Sequence, residues 1–183
     1  MQARSIRLGL AAAVALMAAH PAASADETPA APAPVAGGVA FSGKTELVEG
    51  PALQVVFGER AIFHLDDKGA PLLDAVEKGQ LAMAHPAGEV KETFEAPGAG
   101  KLAIALDGSP QKKASYLKIW NGLDHPVLFH AGVLAYDGGV LKPVTVRICA
   151  TPAGGVNSQT WPAPIAAIAV ANFAAAPDDK TCK

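Results

Sequence analysis

His64, His85, His125 and His130 are the side chains of this 183-residue chain best suited to hold a metal or move a proton, and Cys149 and Cys182 are its only thiols. Neutral imidazole suits copper and zinc, and the thioether of Met83, close to His85 in "MAHP", would add a soft ligand. The densest cluster is "YLKIWNGLDHPVLFHAG", residues 116–132, which gathers Trp120, Asn121, His125 and His130. Successive side chains of a strand point to opposite faces. The odd offset between His125 and His130 therefore parts their rings on one strand and joins them only if His125 lies in a turn. One reading of the cluster is thus a copper or zinc site using His125 and His130, helped by His64 or His85. Against it, the cysteine–histidine–methionine grouping of blue-copper proteins is missing near the C-terminus, and no C-x-x-C spacing occurs.

Catalytic signatures are absent. There is no G-x-S-x-G elbow, no H-E-x-x-H and no glycine-rich phosphate loop. Asp66, Asp67 and Asp74 cluster loosely, as solvated or turn-capping carboxylates do. A hydrolase would need a site assembled from distant residues, and no cofactor is expected. Trp120 and Trp161 offer a different chemistry, because a tryptophan on a loop can anchor a sugar ring or a partner. The competing role for Trp161, in "NSQTWPAP", is to plug the end of the fold.

An even pair of cysteines in an oxidising compartment forms a disulfide. Joining Cys149 to Cys182 encloses 32 residues. The chain-entropy account values such a closure at roughly 3–4 kcal/mol.

The elements that must position these residues read mainly as strands. "LQVVF" (53–57), "AIFHL" (61–65), "SYLKIW" (115–120), "VLFHAGVLAY" (127–136) and "VTVRICA" (144–150) are short, apolar and rich in β-branched or aromatic residues. "QLAMAH" (80–85) is a weaker candidate. "ETFEA" and "KLAIALD" flank "PGAG" (97–100) as a hairpin, and "DGG" (137–139) marks a turn. Pro143 is expected to break or start a strand rather than sit inside one. "PLLDAVEKG" reads as a two-turn helix, with Pro71 at its first position and Gly79 just past its end. In "PIAAIAVANFAAA" alanine favours helix and the β-branched residues favour strand; the reading adopted is strand.

Alternation puts Leu117, Ile119 and Asn121 on one face of the first arm of the 116–132 cluster, with Tyr116, Lys118 and Trp120 on the other. It likewise puts Val127, Phe129, Ala131 and Val133 opposite Leu128, His130, Gly132 and Leu134. Leu117, Ile119, Val127 and Phe129 are expected in the core. Asn121 is expected to bond the backbone where the ladder ends, Gly122 to take a positive φ, Asp124 to accept from amides, and Pro126 to hold His125 extended. Over these residues the segment resembles the strand–Asn–turn–Pro–Val–strand corner of immunoglobulin-like domains. The fold expected is mostly β: an immunoglobulin-like antiparallel β-sandwich with one short helix.

The N-terminus reads as a signal for export. Arg4 and Arg7 precede an apolar run from Leu8 to Ala19, and Ala23 and Ala25 sit where a signal peptidase reads. The run is short of the ~20 residues of a membrane span. Residues 1–25 are therefore expected to be removed, 26–38 ("DETPAAPAPVAGG") to form a Pro/Ala-rich tether, and 39–183 to fold as one domain. Thirteen basic and seventeen acidic residues then remain, for a net charge of −4 with histidine neutral (15 − 2 − 17). With no basic stripe, nucleic acid is excluded as a partner class. The expected protein is a periplasmic or secreted module without enzymatic activity that binds an envelope protein or glycan. Metal handling and hydrolysis are the alternatives.

Overall fold

The structure is a computed structural model and describes residues 33–34 and 40–177. The expected signal peptide, most of the expected tether and Cys182 lie outside the described residues. Among these residues are twelve strands: β1 (Ala33–Pro34), β2 (Ala40–Phe41), β3 (Glu46–Val48), β4 (Ala52–Val56), β5 (Glu59–Leu65), β6 (Pro71–Lys78), β7 (Leu102–Ser109), β8 (Ala114–Asn121), β9 (Val127–Asp137), β10 (Val140–Val146), β11 (Val156–Trp161) and β12 (Ile165–Ala175). Ten of them build two five-stranded sheets, in the orders β10-β9-β12-β4-β3 and β11-β8-β7-β5-β6, with every neighbouring pair antiparallel. The two sheets pack face to face as a β-sandwich, as the strand pattern predicts. Inside the expected tether, Ala33 and Pro34 pair with Phe41 and Ala40.

The inner faces carry the core. Leu117, Ile119, Val127 and Phe129 enter it as alternation requires, beside Leu53, Val55, Phe63, Ile104, Ile168 and Phe173. Phe173 spans the sheets, with ring centres 5.3 Å from Phe63 and 5.0 Å from Phe129. Burying each such side chain stabilises by about 1.5–3 kcal/mol.

Residues 71–78 form an edge strand, not a helix. Pro71 and Gly79 mimic helix caps, but a bulge is the deeper reason. The register with β5 jumps from Leu73↔Phe63 to Ala75↔Ile62, leaving Asp74 as the extra residue. The inward positions thus become 71, 73 and 76, and part of that spacing is helical. Two bulges do the same in β12, between Ile165 and Ala167 and between Ala171 and Ala174. Asn172 takes a left-handed φ of 56° at the second one.

Four other expectations change. Residues 80–85 hold a 3-10 turn at Ala82–Ala84 rather than a strand. No hairpin forms about "PGAG": 92–96 is irregular, and Gly100 instead donates to the Gly122 carbonyl at 2.8 Å. "NSQTW" is strand rather than loop. Pro143 lies inside β10, opposite Leu134. The tight β9–β10 hairpin, closed through Gly138 and Gly139 at φ 58° and 88°, explains why this is tolerated. Counting back from its closing pair, Pro143 falls where the backbone nitrogen points away from β9, and β10 is an edge strand, so no ladder donor is lost.

Candidate functional site

The 116–132 cluster is a structural corner. Asn121 Nδ2 lies 2.9 Å from the His125 carbonyl and 3.1 Å from those of Thr151 and Pro152, while its Oδ1 accepts from Leu123 N at 2.9 Å. One buried amide thus ties the end of β8 to the start of β9 and to the segment entering β11. Gly122 does not take a positive φ. It is glycine because a Cβ would stand 2.6 Å from the Lys101 carbonyl oxygen and 2.7 Å from that of Gly98. Asp124 pairs with the His125 ring, Oδ1 to Nδ1 at 2.8 Å, and this holds its carboxyl below the usual carboxylate range.

The histidines do not converge. His64 Nδ1 bonds Asp74 Oδ1 at 2.8 Å, His85 Nε2 lies 3.3 Å from Asp107 Oδ2, His125 is held by Asp124, and His130 Nδ1 lies 3.2 Å from Asn172 Nδ2. By register, His64 projects from the outer face of the second sheet and His130 from the outer face of the first. No cluster of three or more His, Cys, Asp or Glu residues able to hold a metal ion occurs among the described residues. The proposed His125–His130 pair is thus divided between a turn and a sheet face.

Charged and aromatic residues instead concentrate on the outer face of the second sheet. Arg60, Ala105, Lys118 and Ser158 form one cross-strand row there, and Asp107, Tyr116 and Thr160 form another. The crossover from β6 to β7, residues 79–101, runs over part of this face and makes a second small core with it: Leu81, Ala84 and Phe94 against Ala103, Ala105 and Trp120. Trp120 is 4 % exposed, edge-on to Phe94 at 6.2 Å, so its indole serves packing rather than a partner surface. Trp161, at the end of β11, is half-buried against the inter-sheet core.

Two polar clasps hold the crossover. In one, the Arg60 guanidinium lies 4.8 Å from the Phe94 ring centre and 5.3 Å from that of Trp120, bonds Glu77 Oε2 at 2.6 Å and donates to the Glu95 carbonyl. Lys118 Nζ stands 3.3 Å from Glu92 Oε1, an ion pair without hydrogen-bond geometry, since that oxygen is buried with no hydrogen-bond partner. In the other clasp, Asp107 accepts from the backbone N–H of Leu81 and of Gly108, both at 2.7 Å, and meets His85. Lys112 Nζ adds bonds to the carbonyls of Met83 at 3.1 Å and His85 at 2.9 Å. Gly79 admits the crossover, because a Cβ there would collide with Thr93 Oγ1 and the Phe94 ring.

The most exposed of the described His–carboxylate pairs on this face is His64 with Asp74, which also meets Lys101 Nζ at 3.1 Å. Burial pushes the Asp74 carboxyl up, but hydrogen bonds from Lys101 and His64 outweigh it and hold the group below the usual range. Such a pair fixes a histidine tautomer, as in general bases. No serine or threonine hydroxyl is hydrogen-bonded to any of the four imidazoles among the described residues.

The sequence pointed to Trp120, His64 and His85 one by one, but not to their common face. Arg60, Asp107 and Glu92 were missed because the partners that define their roles are remote: Glu77 and the Glu95 carbonyl 17 and 35 positions from Arg60, His85 and Leu81 22 and 26 from Asp107, and Lys118 for Glu92. Among the described residues no helix is long and apolar enough to cross a membrane. Comparison with known proteins gave no match: no family model, no curated protein and no solved structure is similar to this chain.

Proposed function

We propose that this chain is an exported β-sandwich module of the bacterial cell envelope that binds a partner and is not an enzyme. One observation carries the reading: exposed apolar side chains gather on the β9–β10 hairpin. Among the described residues, five of the ten large exposed hydrophobic residues lie on these two strands, and four are near the turn: Tyr136 at 51 % and Leu141 at 45 % exposed, paired across the hairpin on one face, and Val140 at 58 % and Val144 at 45 % on the other. Apolar surface concentrated in this way marks interaction sites, whereas isolated exposed residues do not. The acidic and basic groups on the second sheet are, by contrast, turned onto the chain's own crossover. The envelope setting rests on the N-terminal pattern of Arg4, Arg7, the 8–19 apolar run and Ala23–Ala25.

A Cys149–Cys182 disulfide belongs to the same reading. Ala175 pairs with Val127, and Val127 bridges to Thr151, two residues beyond Cys149. The stretch from Pro177 to Cys182 spans up to roughly 17 Å when extended, enough to cover those ladder steps.

Expression of the full chain with its signal in a bacterial host tests both parts. The periplasmic product is expected to begin at Asp26 and to weigh two hydrogens less than the reduced chain. A photo-crosslinking residue at Leu141 is expected to give one discrete envelope adduct, lost on Tyr136→Ser. A retained N-terminus refutes signal removal, absence of the chain from the periplasm refutes export, and absence of any adduct refutes the hairpin as the binding surface.

A further inference from the structure

The two sheets end in four edge strands, and three are guarded against further pairing. β10 has Pro143 at an outward-facing position, β3 is three residues long, and β6 carries Pro71, Asp74, Glu77 and Lys78 with a bulge against β5. These are the devices by which sheets avoid edge-to-edge association. β11 has none: "VNSQTW" holds no proline and no charge, and pairs with β8 over all six residues without a register shift.

The direction of its free backbone groups follows from the ladder. Asn121 N donates to the Gly155 carbonyl at 2.9 Å, so Gly155, Asn157, Gln159 and Trp161 are the positions bonded to β8. Val156, Ser158 and Thr160 turn their N–H and C=O outward, are exposed, and have no partner for these groups among the described residues.

We propose that β11 pairs antiparallel with β11 of a second copy of this chain, about a two-fold axis through Ser158. The sequence Val156–Thr160 is chemically symmetric about that residue, β-branched against β-branched and amide against amide. The outward positions match as Val156 with Thr160 of the second copy and Ser158 with its own counterpart, for about six backbone hydrogen bonds. Asn157 stands opposite Gln159 of the second copy, each amide already turned onto Cys149 of its own chain. Trp161 meets Gly155 of the second copy, a bulky ring beside a residue with no side chain. Charge favours the same occupant. No charged group lies on β11, and Lys118, opposite Ser158 on the neighbouring strand, is paired with Glu92 at 3.3 Å. The two Lys118 residues would stand about 14 Å apart, three strand spacings, which exceeds the ~8 Å screening length. A single short strand pair is a small interface, so the expected Kd is about 10–100 µM.

Sedimentation velocity on the full-length exported chain from about 1 µM to 1 mM tests this, with a Kd in the range expected for small interfaces. The mass is expected to rise from one copy to two. Ser158→Pro removes an outward N–H that β8 does not use, and is expected to raise Kd at least about tenfold. Ser158→Lys sets like charges opposite each other on the axis and is expected to abolish the dimer at low salt, with partial recovery at high salt. Both variants should keep the wild-type far-ultraviolet circular dichroism. A monomer throughout the concentration range overturns the proposal, even if a chain ending at Pro177 then dimerises, since that would make the C-terminal tail the occupant. A dimer indifferent to Ser158→Lys overturns it as well.

Discussion

The Asp107 carboxylate receives the backbone N–H of Leu81 at 2.7 Å and so fixes the start of the 79–101 crossover to the middle of the second sheet. The sandwich core lies on the other side of that sheet, so the crossover can be released without opening the core.

Asp107→Ala is therefore expected to free the crossover and leave the sandwich folded. In a Trp161→Phe background, Trp120 fluorescence should shift to the red and become accessible to acrylamide. Amide exchange should quicken in 79–95 and stay slow in β9 and β12. Unchanged Trp120 emission would show that Arg60 and Phe94 suffice to hold the segment.

Arg60→Met keeps an apolar stem but removes the charge between Phe94, Trp120 and Glu77. The expected loss is about 1.5–3 kcal/mol, the worth of hydrogen bonds to a charged group. Glu77→Gln should cost less, because the Glu77 side chain is 43 % exposed. Urea melts of both variants give the comparison.

Asn121→Ala should cost about 1–3 kcal/mol, the price of leaving buried polar groups unpaired. The loss stays moderate because the Thr151 and Pro152 carbonyls keep backbone donors, Val127 N and Gly155 N, each at 3.0 Å. A thermal melt checks this, with a fall of about 2–4 °C per kcal/mol for a domain of about this size.

Acid should weaken the fold through specific carboxylates. Asp66 is lowered by the backbone N–H groups of Ala70 and Lys68, and Asp137 by Lys142; Asp74 and Asp124 are lowered as described above. A group whose pKa falls on folding stabilises fully above its unfolded value, about 3.9 for aspartate. That contribution is lost as pH drops through the lowered folded value. Stability should thus decline below about pH 4, and less steeply in Asp74→Asn. Melting temperatures from pH 2 to pH 6 measure the slope.

Zinc or copper titrated calorimetrically into the protein should bind no more weakly to His125→Ala/His130→Ala than to the parent chain. The two imidazoles engage different neighbours, Asp124 and Asn172. A specific loss of affinity in the double variant would restore the metal reading.

Where strands keep strict alternation, the sequence discloses the fold. Residues 115–120 and 127–136 show it, down to which side chains enter the core. Legibility fails where a bulge breaks the period, as at Asp74; at 165–175 alanine dilutes the pattern, yet the strand reading holds. It fails again for the crossover, which has no period of its own and takes its path from Arg60 and Asp107. The Asn121 corner was readable through its local partners, Leu123 and His125, while its bonds to Thr151 and Pro152, 30 and 31 positions on, were not. The clasped face was not, because the charged member of each clasp is an ordinary surface charge until the chain folds, and its partners are rings and backbone groups that carry no signature of their own.

The pairing of β4 with β12 sets when the molecule can assemble. Val56 faces Ala167, a separation of 111 positions (167 − 56), so a chain emerging N-terminus first cannot finish its first sheet until β12 has emerged. Contacts this remote in sequence place folding in the slow, millisecond-to-second class. Until β12 is made, β4 can pair only with β3, and β9 only with β10.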